Sequence, residues 1–171
     1  MLRAASKVLV IDASVANAAG WSDHPDSSAS RYFLRAVLDT CHQMVLTPAL
    51  AEEWRRHQSK YAREWRKSMY ARRKIRQLEA AENGNLRARI LDPGAGLQAL
   101  AIRRKDVRLI EAAILTGHIV VSLDEEAREA FQFRELNIIT WVNPVRERER
   151  MNSWLEDGAP PVEEWKLGPE G

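Results

Sequence analysis

The sequence predicts an α/β protein in which helices cover both faces of a parallel sheet. Short β-branched apolar runs alternate with segments of helical periodicity, which is the pattern of such a fold. The first strand, predicted at 7–12, contains the unbroken apolar run Val8–Ile11, as is typical of a strand buried on both faces. Further strands are predicted at 44–46, 119–124 and 138–142.

The composition indicates one globular domain of ordinary size. The chain has 171 residues, of which 45% are hydrophobic and 29% charged. We expect a single domain over residues 1–157, with a terminal helix over 145–155. A C-terminal tail follows over 158–171, where Gly and Pro disfavour regular structure. The single cysteine excludes an internal disulfide, and no signal peptide or membrane span is evident, so we expect a cytoplasmic protein.

The basic residues are concentrated in one part of the chain. Residues 55–89 contain 12 basic and 3 acidic side chains, a net charge of +9. We predict a long basic helical insertion over about 55–91, with an apolar stripe at Tyr61, Trp65 and Met69 that continues to Ile75 and Leu78. Its charge fits either a solvated helix face or contacts to phosphate, and Tyr61 or Trp65 could be core residues or stack on bases.

Several carboxylates are predicted to lie at the same edge of the sheet. Asp12 and Asp124 each follow an apolar strand, and Glu52 or Glu53 lies in the first turn of a helix after the second strand. Asp106 lies near the start of a helix predicted over 103–116. The carboxyl ends of parallel strands meet at one edge, where clustered acids repel one another or hold a cation. Oxygen ligands favour Mg²⁺ or Mn²⁺, although any one acid could be only a helix cap.

Four segments together resemble the PIN-domain superfamily, whose nucleases include the toxin ribonucleases of bacterial toxin–antitoxin pairs. They are residues 8–14, 47–54, 105–113 and 120–124, and the resemblance covers roughly 7–144. Each motif is weak alone, whereas the ordered set of four is more specific. The resemblance implies a three-layer α/β/α sandwich with a central parallel sheet and a metal-dependent ribonuclease site. The basic insertion is longer than compact toxins of this superfamily usually carry.

The resemblance also implies which residues act. It places the catalytic acids on Asp12, Glu53, Asp106 and Asp124. Asp12, Asp106 and Asp124 would hold one or two Mg²⁺ or Mn²⁺ ions, Glu53 would hold the attacking water or complete the ligand shell, and cleavage would leave 5′-phosphate and 3′-hydroxyl ends. Two serines would support the acids, and five basic residues would hold the backbone of single-stranded RNA by charge. These residues are Ser14 and Ser122, and Arg63, Arg66, Lys67, Arg73 and Lys74.

Other functions fit parts of the same pattern. One is a non-catalytic RNA-binding module that keeps the fold and the basic insertion. Another is a phosphotransfer enzyme with Asp12 as nucleophile, although Ser14 stands where such enzymes usually place a second acid. A third is a toxin masked by an antitoxin protein. The partners we expect are single-stranded RNA, with an antitoxin and a second copy of the chain as further candidates.

Overall fold

A five-stranded, all-parallel sheet forms the centre of the computed structural model, which describes residues 5–169. Its spatial order is β3-β2-β1-β4-β5, so the first strand lies in the middle. Helices flank the sheet, which confirms the predicted α/β/α sandwich. The strands are β1 (Val8–Ile11), β2 (Gln43–Leu46), β3 (Ile75–Gln77), β4 (Ile119–Val121) and β5 (Thr140–Val142).

Two groups of helices accompany the sheet. Helix α1 contacts α2, α3 and α4, and α2 also contacts α4 and α8. Helix α6 packs on β1, β4, α3 and α7. No helix within residues 5–169 has the length and apolar character needed to cross a bilayer. The helices are α1 (Ala13–Ala18), α2 (Pro25–Asp39), α3 (Pro48–His57), α4 (Lys60–Ala71), α5 (Gly84–Ile90), α6 (Leu97–Ile114), α7 (Glu125–Ala130) and α8 (Met151–Glu156).

The central strand β1 is held on both sides by parallel pairing. Val8 pairs with Gln43 of β2, and Val10 pairs with Val120 of β4. Leu9 and Val10 are completely buried, as the unbroken apolar run predicted. The indole of Trp54 on α3 donates a 2.8 Å hydrogen bond to the carbonyl of Ile11, which joins that helix to the last residue of β1.

The basic insertion is not continuous helix, contrary to the sequence-based expectation. Helix α4 ends at Ala71, Arg73 adopts a left-handed backbone (φ 56°), and the chain then enters the edge strand β3. Ile75 therefore pairs with Met44 of β2 rather than extending a helical stripe. The helical periodicity was misleading because β3 has only three residues, of which Ile75 alone is apolar. Such a short strand has almost no alternation of apolar and polar residues from which it could be predicted.

Helix α6 begins earlier than predicted. It starts at Leu97, after the loop that ends at Gly96, so Asp106 lies in the middle of the helix instead of its first turn. Residues 97–102 are mostly strong helix formers, which explains the extension. Asp106 therefore has no role as an N-terminal cap or helix-dipole partner.

The C-terminal segment packs against the domain. Its terminal helix is shorter than predicted, since residues 144–150 form turns before α8. In the segment after residue 157, Trp165 and Leu167 are buried, and Lys166 makes an antiparallel bridge to Thr140 at the outer edge of β5. The sequence did not predict this packing because the segment has few apolar residues and is rich in Gly and Pro. Residues 1–4 of the predicted domain and 170–171 of the predicted tail lie outside the described residues.

A buried ion pair joins the insertion to α6. Glu111 is only 1% exposed at its side chain, and both its oxygens accept hydrogen bonds from Arg87 of α5 (2.7 and 2.9 Å). The backbone N–H of Asn83 donates to the same carboxylate. The pair fixes α5 against the domain because a buried carboxylate needs all of these partners.

We expect Glu111→Ala to lower the free energy of unfolding by about 2 kcal/mol, because it leaves the Asn83 N–H without its acceptor and Arg87 with only its exposed partner Glu82. The measurement is urea unfolding followed by circular dichroism. Arg35→Ala is the control, since the Arg35–Asp39 pair is exposed and should contribute less than about 1 kcal/mol. Equal losses for both variants would contradict a structural role for the buried pair.

Candidate active site

Four carboxylates from separate parts of the chain line one cleft of about 190 Å³. Asp12 follows β1, Glu53 lies on α3, Asp106 lies on α6, and Asp124 precedes α7. Asp12 and Asp124 share an edge because β1 and β4 are parallel neighbours. The structure thus brings together the four acids that sequence reasoning selected.

Two serine hydroxyls hold the Asp12 carboxylate. Ser14 and Ser122 both donate to its Oδ2 atom, at 2.7 and 2.8 Å. Each hydroxyl oxygen also accepts a backbone N–H, from Leu123 and Asp124 respectively. The arrangement orients Asp12 and ties the loop after β4 to the start of α1.

Asp124 combines a structural role with its place in the cleft. Its Oδ1 atom accepts the Ala127 N–H at 2.9 Å, which caps the first turn of α7. This hydrogen bond fixes the side chain at the helix entrance. Capping uses Oδ1 only, so the second carboxylate oxygen of Asp124 can still bind a ligand in the cleft.

The structure distinguishes the two neighbouring glutamates on α3. Glu53 lines the cleft, where His57 and Arg108 approach its oxygens at 3.6 and 3.9 Å. Glu52 instead pairs with Arg55 and Arg56 on the outer surface. Hydrogen bonding and charge from Arg55 lower the pKa of Glu52, while its side chain is turned away from the cleft. The geometry therefore favours Glu53 as the cleft acid.

Asp106 carries the strongest electrostatic signature of the site. Burial, and next the negative charge of Asp12, raise the pKa of Asp106 to about 7. Asp124 contributes in the same direction, while the nearby cations Lys105 and Arg108 oppose the shift. An acid whose pKa is raised this far by burial and by neighbouring acids is typical of a functional site.

Sequence reasoning missed four polar residues of the cleft wall, namely Asn17, His57, Lys105 and Arg108. The available signal was helical spacing: His57 lies one turn after Glu53 on α3, and Lys105 and Arg108 flank Asp106 on α6. The two α6 cations place positive charge beside the acids, where a phosphate would need it.

The five predicted RNA-contacting residues lie outside the cleft wall and differ in their surroundings. Arg63, Lys67 and Arg73 are exposed, with Lys67 paired to Glu64, and Arg66 is half-buried. Lys74 does not fit the prediction. Its ammonium donates to the carbonyls of Val37, Leu38 and Thr40 at 2.5, 2.8 and 2.6 Å, so it caps the end of α2. Burial lowers the pKa of Lys74, consistent with this structural role.

The chemical type of the donors suits a hard divalent cation, because the residues that line the cleft offer carboxylate oxygens and no thiolate. Asp12 retains a second oxygen, Oδ1, that makes no hydrogen bond with residues 5–169. Within those residues, no three His, Cys, Asp or Glu side chains are grouped closely enough to form a finished ligand set. The acids thus share a cleft without a preformed coordination sphere.

No protein-family model matches this sequence, and a search of curated proteins finds no match.

We expect Asp106→Asn to stabilise the metal-free protein at pH 8. The folded-state pKa of Asp106 lies above its unfolded value of 3.8, so the wild type loses stability as pH rises from about 4 to about 7. The variant escapes this loss and should be more stable by on the order of 2 kcal/mol at pH 8, with little difference at pH 4.

The measurement is urea unfolding in EDTA at both pH values. Asp23→Asn, at an exposed site outside the cleft, serves as the control and should show no such pH-dependent gain. An Asp106→Asn variant no more stable than wild type at pH 8 would contradict the electrostatic interpretation.

Proposed function

We propose that this chain is a PIN-like, Mg²⁺- or Mn²⁺-dependent endoribonuclease acting on single-stranded RNA. The observation that carries the proposal is the convergence of Asp12, Glu53, Asp106 and Asp124 on one cleft from four separate segments. Independent helix caps would have no reason to converge in this way, and Asp106 caps nothing. Burial, and next the negative charges of Asp12 and Asp124, raise the pKa of Asp106, and a cation would relieve the repulsion among these acids.

The chain's own groups have distinct roles in this proposal. A bound divalent cation would supply Lewis-acid chemistry, activating water and neutralising charge on the phosphate. Asp12, held by Ser14 and Ser122, would bind the cation together with Asp106 and Asp124. Glu53 would orient the attacking water and accept its proton. Lys105 and Arg108 would bind the non-bridging oxygens of the phosphate.

Contacts to the RNA backbone would come from exposed cations near the cleft and along α4. Arg63, Lys67 and Arg73 are exposed, and contact by charge alone would not distinguish sequences. Lys74 is left out of this set because its ammonium is occupied by α2 carbonyls. Single strands fit the proposal better than duplex because the exposed Tyr70 at the end of α4 offers a ring for base stacking beside these cations.

We expect the purified protein to cut single-stranded RNA with Mn²⁺ and to lose this activity in EDTA. Asp12→Asn should reduce cleavage by at least about a hundredfold, because Asp12, which two serine hydroxyls hold in the cleft, would bind the cation. The assay follows a labelled oligoribonucleotide on a denaturing gel, with end analysis for 5′-phosphate and 3′-hydroxyl. Equal cleavage by wild type and Asp12→Asn would reject the site. RNA binding without cleavage by the wild type would favour the non-catalytic module instead.

The neighbouring glutamates of α3 provide a matched pair of variants. Glu53→Gln should lower kcat at least about tenfold because it removes the cleft carboxylate while keeping its size. Glu52→Gln should stay within about twofold of wild type, since Glu52 pairs with surface arginines. The reverse result would mean that Glu52 is the functional acid.

Further proposed partners are an antitoxin protein, which the resemblance implies, and a second copy of the chain.

A further inference from the structure

A cluster of exposed aromatic rings surrounds one arginine on the surface beside α1 and α2. Trp21 and Tyr32 are 76% and 63% exposed. The guanidinium carbon of Arg31 lies 5.7 Å from the Trp21 ring centroid and 5.1 Å from that of Tyr32. Tyr61 meets Trp21 edge to face at 5.2 Å. We call these four residues the aromatic platform.

Folding does not account for the exposed rings. The tryptophans that build the core, such as Trp54 and Trp65, are almost fully buried and stack on each other. Trp21 instead leaves most of its surface in water, which gives up the stabilisation that burial would provide. Arg31 also donates to the backbone carbonyls of Gly20 and Ser22, so it holds the loop that presents Trp21.

The platform lies close to the acidic cleft. Asn17 and His57 belong to the cleft wall, and Trp21 and Tyr61 each follow one of them by four residues. Four residues span at most about 14 Å even when fully extended. The two chain segments are also joined directly, because the Ser59 N–H donates to the Ala16 carbonyl at 3.0 Å. This upper bound corresponds to at most about four stacked nucleotides.

We propose that the aromatic platform stacks on bases of single-stranded RNA as the strand leads into the cleft, an inference that rests on the proposed function. Most of the Trp21 and Tyr32 side-chain surface is open to solvent, and the positive charge of Arg31 beside both rings attracts phosphate. The combination of exposed rings with cations is typical of sequence-tolerant binding of single strands. This charge favours a polyanion over an apolar protein partner.

The test measures binding without cleavage, in the Asp12→Asn background and in EDTA. Fluorescence anisotropy of a labelled twelve-nucleotide single-stranded RNA is compared with that of an abasic oligomer of the same length. Trp21→Ala should weaken binding of the RNA about tenfold and leave binding of the abasic oligomer unchanged, because stacking needs bases. Trp21→Phe should restore most of the affinity. Leu115→Ala, which alters an exposed apolar residue at the end of α6, should bind as the parent does.

The outcomes separate this inference from the proposed function. Unchanged RNA affinity in Trp21→Ala overturns the platform even if the wild type cuts RNA normally. A tenfold loss confined to the base-containing strand supports the platform even if the wild type cuts nothing. If the wild type is a dimer, and Trp21→Ala dissociates the dimer without changing RNA binding, the surface is a protein interface. That result also overturns the platform proposal. Equal weakening for the abasic oligomer also overturns it, since stacking would not be the cause.

Discussion

The site depends on one interaction, the pair of serine hydroxyls that hold the Asp12 carboxylate. Ser14 comes from α1 and Ser122 from the end of β4, so the hydrogen bonds join two neighbouring strand ends around one charge. Each hydroxyl also accepts a backbone N–H from the loop that carries Asp124. The position of Asp124 is therefore coupled to that of Asp12. A carboxylate at the end of a buried strand is costly unless it is paired, and here its partners also arrange the second acid.

The basic insertion has a different role in the structure from the one its charge indicates. Lys74 caps α2, and Arg87 neutralises the buried Glu111 of α6, so two of its cations stabilise the fold. The edge strand β3 adds a fifth strand beside β2. What remains for a polyanion is the exposed part of α4 and the turn after it. Counting charges along the chain thus overestimated the positive charge that is left for a ligand. The count does not distinguish an ammonium that caps a helix, as in Lys74, from one that is exposed.

The sequence was informative where a residue's environment follows from its immediate neighbours. The apolar run of β1 and its terminal Asp12 could be predicted, because burial on both faces needs such a run. Asp12 and Asp124 could be placed together because parallel strands share an edge. The choice of Glu53 over Glu52 rested on the family resemblance. Strand β3 and the packed C-terminal segment could not be predicted, since both depend on distant partners: Ile75 needs Met44, and Lys166 needs Thr140. The aromatic platform was also missed, because the exposure of Trp21 is a property of the folded surface alone.

Charge in the cleft raises an apparent conflict, because acids would have to accept a substrate that is itself a polyanion. The raised pKa of Asp106 resolves part of it: near neutral pH the metal-free cleft carries less negative charge than its four carboxyls indicate. A cation entering the cleft would displace the Asp106 proton, since proton and metal compete for the same oxygen. The positive charge then gained, together with Lys105 and Arg108 on the same wall, would turn an acidic cleft into one that attracts phosphate. Substrate binding and cation binding would accordingly be coupled through Asp106, and the aromatic platform, which needs no cation, could hold RNA before that coupling takes effect.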